Sequence, residues 1–153
     1  YKTGVVFMAY LNGLQDHFVL DAATTEIYPL PLRAALPVCA RGKGLYANLT
    51  RFISTGPLPE AYATAHHRVR QIEAQALAQC RPGTSLAALY NTLKQAYQQY
   101  DYADAINQHH QGGLTGYQAR EIIARPDTRV VLKPGHVLAL NPRVPGGKSE
   151  ETI

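Results

Sequence analysis

The sequence predicts an α+β fold, an antiparallel sheet covered on one side by two long helices. Three observations carry this. Up to about residue 53, short apolar and β-branched runs alternate with Gly and Pro, the pattern of strands and turns. Between about residues 60 and 100, two segments repeat apolar residues every three or four positions, separated by Pro82-Gly83. After Asp104 the helical period stops, and glycines, Arg125-Pro126 and Lys133-Pro134-Gly135 punctuate a second strand-rich stretch.

The elements follow in order. Residues 4–10 form an apolar run ending near Asn12-Gly13, which predicts a strand and a turn, and residues 17–21 predict another strand. Pro29, Pro31 and Pro37 make an extended connection. Residues 35–40 read as a strand, Arg41-Gly42-Lys43-Gly44 as a turn, and residues 45–53 as the return strand of a hairpin. Pro57-Leu58-Pro59 breaks it. A helix over 60–79 then carries Tyr62, Ala65, Val69, Ile72, Ala76 and Cys80 on one face. Thr84 or Ser85 caps a second helix with Leu86, Leu89, Leu93, Ala96 and Tyr100 as its stripe. Val137-Leu138-Ala139-Leu140 is a buried strand, and residues from Glu150 onward pair with it across Val144-Pro145-Gly146-Gly147.

Composition narrows the function classes. A chain of 153 residues, 46% apolar, suits one domain with its own core. The net charge of +4 is scattered, with no basic block, which argues against a nucleic-acid partner. No apolar run is long enough to span a membrane. Cys39 and Cys80 lie in apolar contexts far apart, as two buried thiols rather than a disulfide, which fits the cytoplasm. The chain opens on Tyr1 and at once reads as a strand. The expectation is therefore that residues 1–153 are a C-terminal catalytic-type domain of a longer protein.

Chemistry-bearing motifs concentrate in the second half: His109-His110-Gln111-Gly112-Gly113, Gly116-Tyr117-Gln118-Ala119-Arg120-Glu121, Asn141-Pro142, and Lys148-Ser149-Glu150-Glu151-Thr152. Histidines, amides, basic groups and carboxylates arriving on successive apolar or Gly-rich segments suggest a pocket built from several strands. With Gly44-Leu45-Tyr46-Ala47-Asn48-Leu49-Thr50-Arg51 and Arg81-Pro82-Gly83, their order resembles the "pita-bread" metallopeptidases: methionine aminopeptidase, prolidase, aminopeptidase P and creatinase. The pattern is similar to a bacterial M24, Xaa-Pro dipeptidase-like branch.

The resemblance implies five metal-ligand positions, which here fall near Pro37 and on Asn48, His110, Asn141 and Glu150. Those positions keep one histidine and one carboxylate, and amides bring oxygen but no charge to a divalent cation. The expectation is no metal cofactor, with a single ion such as Mn or Zn on His110 and Glu150 as the weaker alternative. What it implies is a hydrolase of a small amide or peptide, metal-independent in the manner of creatinase. The alternative is an inactive pseudo-peptidase that binds a peptide or metabolite. Catalysis would rest on His110 with Glu150 beside it fixing its tautomer. Ligand binding would rest on Asn48 facing Asn141, on Tyr117, on Arg120 and Glu121 as a clamp or an ion pair, and on Lys148, which shares a strand face with Glu150. His109 is expected on the opposite face, His66 and His67 on the helix surface, and Arg51 as an anchor of the hairpin. The partners implied are a small molecule or short peptide, with a homodimer compatible with the resemblance and no membrane.

Overall fold

The computed structural model describes residues 17–18, 28–29, 33–54 and 56–153. The expected strand over 4–10 and the Asn12-Gly13 turn lie outside the described residues. His17–Phe18 (β1) pairs antiparallel with Tyr28–Pro29 (β2).

The predicted hairpin is present as β3 (Arg33–Gly42) and β4 (Leu45–Ser54), paired in register from Arg33↔Ser54 to Gly42↔Leu45. Lys43 and Gly44 turn the chain with φ of 51° and 87°. Two positive φ values in a two-residue loop match the right-handed twist of the flanking strands. α1 runs Glu60–Leu77 and α2 Leu86–Gln99. Of the two candidate caps it is Ser85 that serves, its Oγ accepting the Ala88 N–H at 3.1 Å. Ala65, Val69, Ile72 and Ala76 of the first stripe are buried, as are Leu86, Leu89, Leu93 and Ala96 of the second. The second stripe extends to Tyr97 rather than to Tyr100, because the helix ends at Gln99 and leaves Tyr100 half-buried at its edge.

A short 3-10 helix (Ala103–Asn107) leads to β5 (Gly112–Thr115), which lies between β6 (Ile122–Ile123) and β7 (Val137–Leu140). Arg143–Val144 (β8) and Gly147–Lys148 (β9) form a small hairpin, and β10 (Glu151–Thr152) pairs with β7 as predicted. The sheet order is β10-β7-β5-β6, all antiparallel. Gly112 and Gly113 carry positive φ, and a Cβ would meet Ala139 O at 2.2 Å and Ile122 O at 1.9 Å. Only glycine lets β5 pass that close to both neighbours.

One core cluster packs Val69, Ile72, Leu93, Tyr97, Ile106 and Leu140, joining the helices to the sheet. A second gathers Leu86, Leu89, Leu114, Leu132 and Leu138. The long hairpin is tied to the sheet through β10. The Thr50 N–H donates to Glu150 O at 3.0 Å, and Arg51 pairs with Glu151 at 2.6 Å, the anchoring expected of Arg51. Cys39 and Cys80 form no disulfide, but Cys39 is exposed, contrary to expectation. Its Sγ–H donates to Asn48 Oδ1 at 2.9 Å, a contact made at the hairpin face and not in the core. No helix among the described residues is long and apolar enough to cross a membrane.

Candidate functional site

A cavity of about 850 Å³ opens between the β3–β4 hairpin, the start of α1, the loop before β5 and the β8–β9 hairpin. Pro37 and Phe52 come from the hairpin, Tyr62 and His66 from α1, and His109 and His110 from the loop. Asn141, at the end of β7, and Arg143 and Lys148, in β8 and β9, complete its polar wall.

Beneath this wall lies Glu150, with 7% of its side chain exposed. Arg120 donates to Oε1 at 2.9 Å, and Lys148 and the Thr50 hydroxyl donate to Oε2 at 2.7 and 2.9 Å. Burial works to raise the pKa of this carboxyl. Lys148, Thr50 and Arg120 outweigh it and hold the group below the ordinary carboxylate value. The expected Lys148–Glu150 pair is therefore present. The expected Arg120–Glu121 pair is not. Glu121 turns back to accept the Tyr117 N–H at 2.7 Å, bracing the turn at Gly116, and Arg120 is left to reach Glu150.

His110 lines the cavity, but no hydrogen bond joins it to Glu150, which accepts instead from Thr50, Arg120 and Lys148. Its Nδ1 instead accepts the Gly112 N–H at 3.3 Å. An N–H donor at Nδ1 places the proton of the neutral ring on Nε2. Burial and the charge of Arg120 lower the pKa of this histidine against the opposing pull of Glu150, so the neutral form prevails at neutral pH. His109 was expected on the opposite face, yet both rings line the cavity. The strand begins only at Gly112, so the two-residue alternation does not govern 109 and 110. His109 Nδ1 donates to His110 O at 2.5 Å, leaving Nε2 as a buried acceptor with no partner. Gln111 locks this loop, its amide donating to Ile106 O and His109 O and accepting from the Tyr97 hydroxyl.

No hydrogen bond joins the two amides, and of the pair only Asn141 lines the cavity. Asn48, 1% exposed, spends its side chain under the β4–β5 seam, accepting from Cys39 and donating toward Thr115 Oγ1 and Ala119 O, each at 3.4 Å. Asn141, 8% exposed, lines the cavity with an unpartnered Oδ1. Tyr117 is 73% exposed, packs beside Gly44 and lies outside the cavity lining. His67 is exposed as expected, but His66 is half-buried, meets Phe52 edge-on at 5.0 Å and lines the cleft. Tyr62 and His66 are one helical turn apart, so the apolar stripe itself was the signal that they share a face. Phe52, Arg143 and Ser149 had no such signal. The Ser149 hydroxyl donates to the buried Glu73 of α1.

Among the described residues no group of three or more His, Cys, Asp and Glu side chains is arranged to hold a metal ion. No Asp or Glu is among the described residues that line the cleft beside these histidines.

A family model for metallopeptidase family M24 matches residues 35–151, and one for a family of unknown function, DUF993, matches residues 1–52. No curated protein matches the chain. Among solved structures, a prolidase from Pyrococcus furiosus is similar at 19% identity and a TM-score of 0.69, over 85% of this chain and 40% of that one. An X-Pro aminopeptidase from Thermotoga maritima matches at 17% identity and a TM-score of 0.70, over 85% of this chain and 38% of its own. The N-terminal domain of the FACT complex subunit SPT16 from Cicer arietinum matches at 16% identity and a TM-score of 0.66, over 89% and 37%. At these identities the likeness shows the fold, and the chain spans about two fifths of the length of the structures it matches. The fold is the pita-bread fold, and the family match spans most of the sequence: the chain belongs to metallopeptidase family M24.

Proposed function

We propose that this domain holds a small amide or short peptide in its cleft without a divalent metal, as a binding descendant of the peptidase site. The supporting observation is the pairing of Glu150 with two protein cations. At the positions where the family resemblance implies metal ligands, only Glu150 offers a negative charge. Its oxygens accept from Thr50, Arg120 and Lys148, two of them cations. A divalent ion at that carboxylate would lie beside two protein cations, where like charges repel strongly at low effective dielectric. The residues present do not fit a pair of divalent ions, and a single Mn or Zn on Glu150 would lie against the charges of Arg120 and Lys148. The ligand class rests on the names of the similar structures, a prolidase and an X-Pro aminopeptidase. A cytoplasmic location fits two cysteines without a disulfide.

Metal-independent hydrolysis in the manner of creatinase is the second reading, favoured by one observation: His110 is held neutral. That ring starts with its proton on Nε2. To act as a base toward a ligand it must first change tautomer and give up the Gly112 bond, whereas to bind a ligand carbonyl it is ready as it stands. Binding therefore ranks first.

Metal analysis of purified protein dialysed against Mn and Zn tests the shared premise, with substoichiometric metal expected. One equivalent or more, lost on His110→Ala, would defeat it. The same substitution separates the readings. Ligand binding that is weakened but still saturable in the variant, with no turnover in either protein, supports the binding module; turnover present only in the parent supports the hydrolase.

A further inference from the structure

Among the described residues that line the cavity there is no Asp or Glu, while Lys148 and Arg143 both face it. The carboxylate beneath does not balance them, because Glu150 is shared between Lys148 and Arg120: two cations on one anion. A Lys148–Glu150 pair alone would be neutral; the arrival of Arg120 leaves one positive charge in excess on a partly desolvated floor. Lys148 spends one of its three N–H groups on Glu150 and keeps 22% of its side chain exposed. Beside it, two acceptors are buried and unpartnered, Asn141 Oδ1 and His109 Nε2. Buried polar atoms normally find partners, so such a pair lining a cavity indicates donors brought by a ligand.

Resting on the metal-independent reading above, we infer that the ligand is a small anion, a carboxylate or a phosphate, that carries an N–H group close to its charge. The anionic oxygens meet Lys148 and Arg143, where the side-chain cations now supply positive charge that a metal site would otherwise provide. The N–H group reaches Asn141 Oδ1 or His109 Nε2. Charge-assisted hydrogen bonds of this kind are the strong ones, and their loss on neutralising the ligand is what an experiment can read.

Titration calorimetry on the whole chain tests this with N-acetylglycinate, its neutral amide N-acetylglycinamide, and N-acetylsarcosinate, which keeps the charge but lacks the N–H. The acid is expected to bind about tenfold or more tightly than either analogue. Lys148→Gln abolishes the preference over the amide, while Lys148→Arg keeps it and controls for loss of folding. Inorganic phosphate that displaces N-acetylglycinate extends the same floor to phosphate-bearing ligands; phosphate that does not displace it confines the site to carboxylates. Equal binding of acid and amide overturns the inference and leaves metal independence standing. Stoichiometric Mn or Zn overturns the metal-independent reading itself, whereas no binding of any probe overturns the inference alone.

Discussion

Replacing Glu150 by Gln keeps the shape of the side chain and an acceptor for Thr50, but it strips Arg120 and Lys148 of their counter-charge. Removing one partner of a buried ion pair costs more than the pair contributes, because the remaining charge stays desolvated. Arg120 keeps 10% of its side chain exposed, whereas Lys148, at 22%, can turn toward the cavity. The expected loss is about 3 kcal/mol, measured by urea denaturation at neutral pH. The carboxyl sits below the ordinary value of 4.5, so the stability it contributes is present above that pH and is lost as pH falls through the folded value. An unchanged midpoint in Glu150→Gln would mean that the two cations do not depend on it. At the same scale, nitrogen NMR of His110 should show the neutral Nε2–H form at pH 7; a proton on Nδ1 would contradict the Gly112 contact. Such details were not legible in the sequence. The motif order located His110, Asn141, Lys148 and Glu150, but which oxygen each donor would claim depends on Thr50, one hundred residues away from Glu150.

The hairpin and both helices were legible because each is specified locally. The stripes repeat at helical spacing, Ser85 caps the second helix, and the Lys43-Gly44 turn sets the register of ten residues on each side. β5 was harder to see, since a Gly-rich run has no strand propensity of its own and is held there by its neighbours. Gly113→Ala should therefore prevent the chain from folding as described, because its Cβ would fall 1.9 Å from Ile122 O. The loop that presents the histidines depends on a different contact. The Tyr97 hydroxyl donates to Gln111 Oε1 at 2.8 Å and accepts the Arg143 N–H at 2.7 Å, tying α2 to both the loop and β8. Tyr97→Phe leaves both partners buried and unpaired, an expected cost of about 1–3 kcal/mol in denaturant titration. A value near zero would show that the loop is held by the Gln111 amide alone.

Across the whole molecule, α1 and the segment from Lys148 to Glu150, which runs from β9 to β10, meet at one buried acid. Glu73 is 5% exposed, accepts from the Ser149 hydroxyl and leaves its second oxygen without a partner. Nothing local in a helix sequence marks such a residue, because its partner lies 76 positions on. Burial is the main cause that raises its pKa from 4.5 to about 6, with Glu150 and Glu151 adding to it and Ser149 and Arg70 opposing. The sign follows from linkage. The folded state holds this proton more tightly than the unfolded state, so Glu73 favours folding while protonated and costs stability once it ionises. That cost grows as pH rises from 4.5 to about 6 and is constant above, reaching about 2 kcal/mol for a shift of this size. Glu73→Gln keeps an acceptor for Ser149 and cannot ionise. The variant should match the parent near pH 4.5 and exceed it by up to about 2 kcal/mol at pH 7.5, read from urea midpoints at the two values. A variant less stable than the parent at pH 7.5 would mean that the ionised carboxylate, held by Ser149 and Arg70, is what joins the helix to the site.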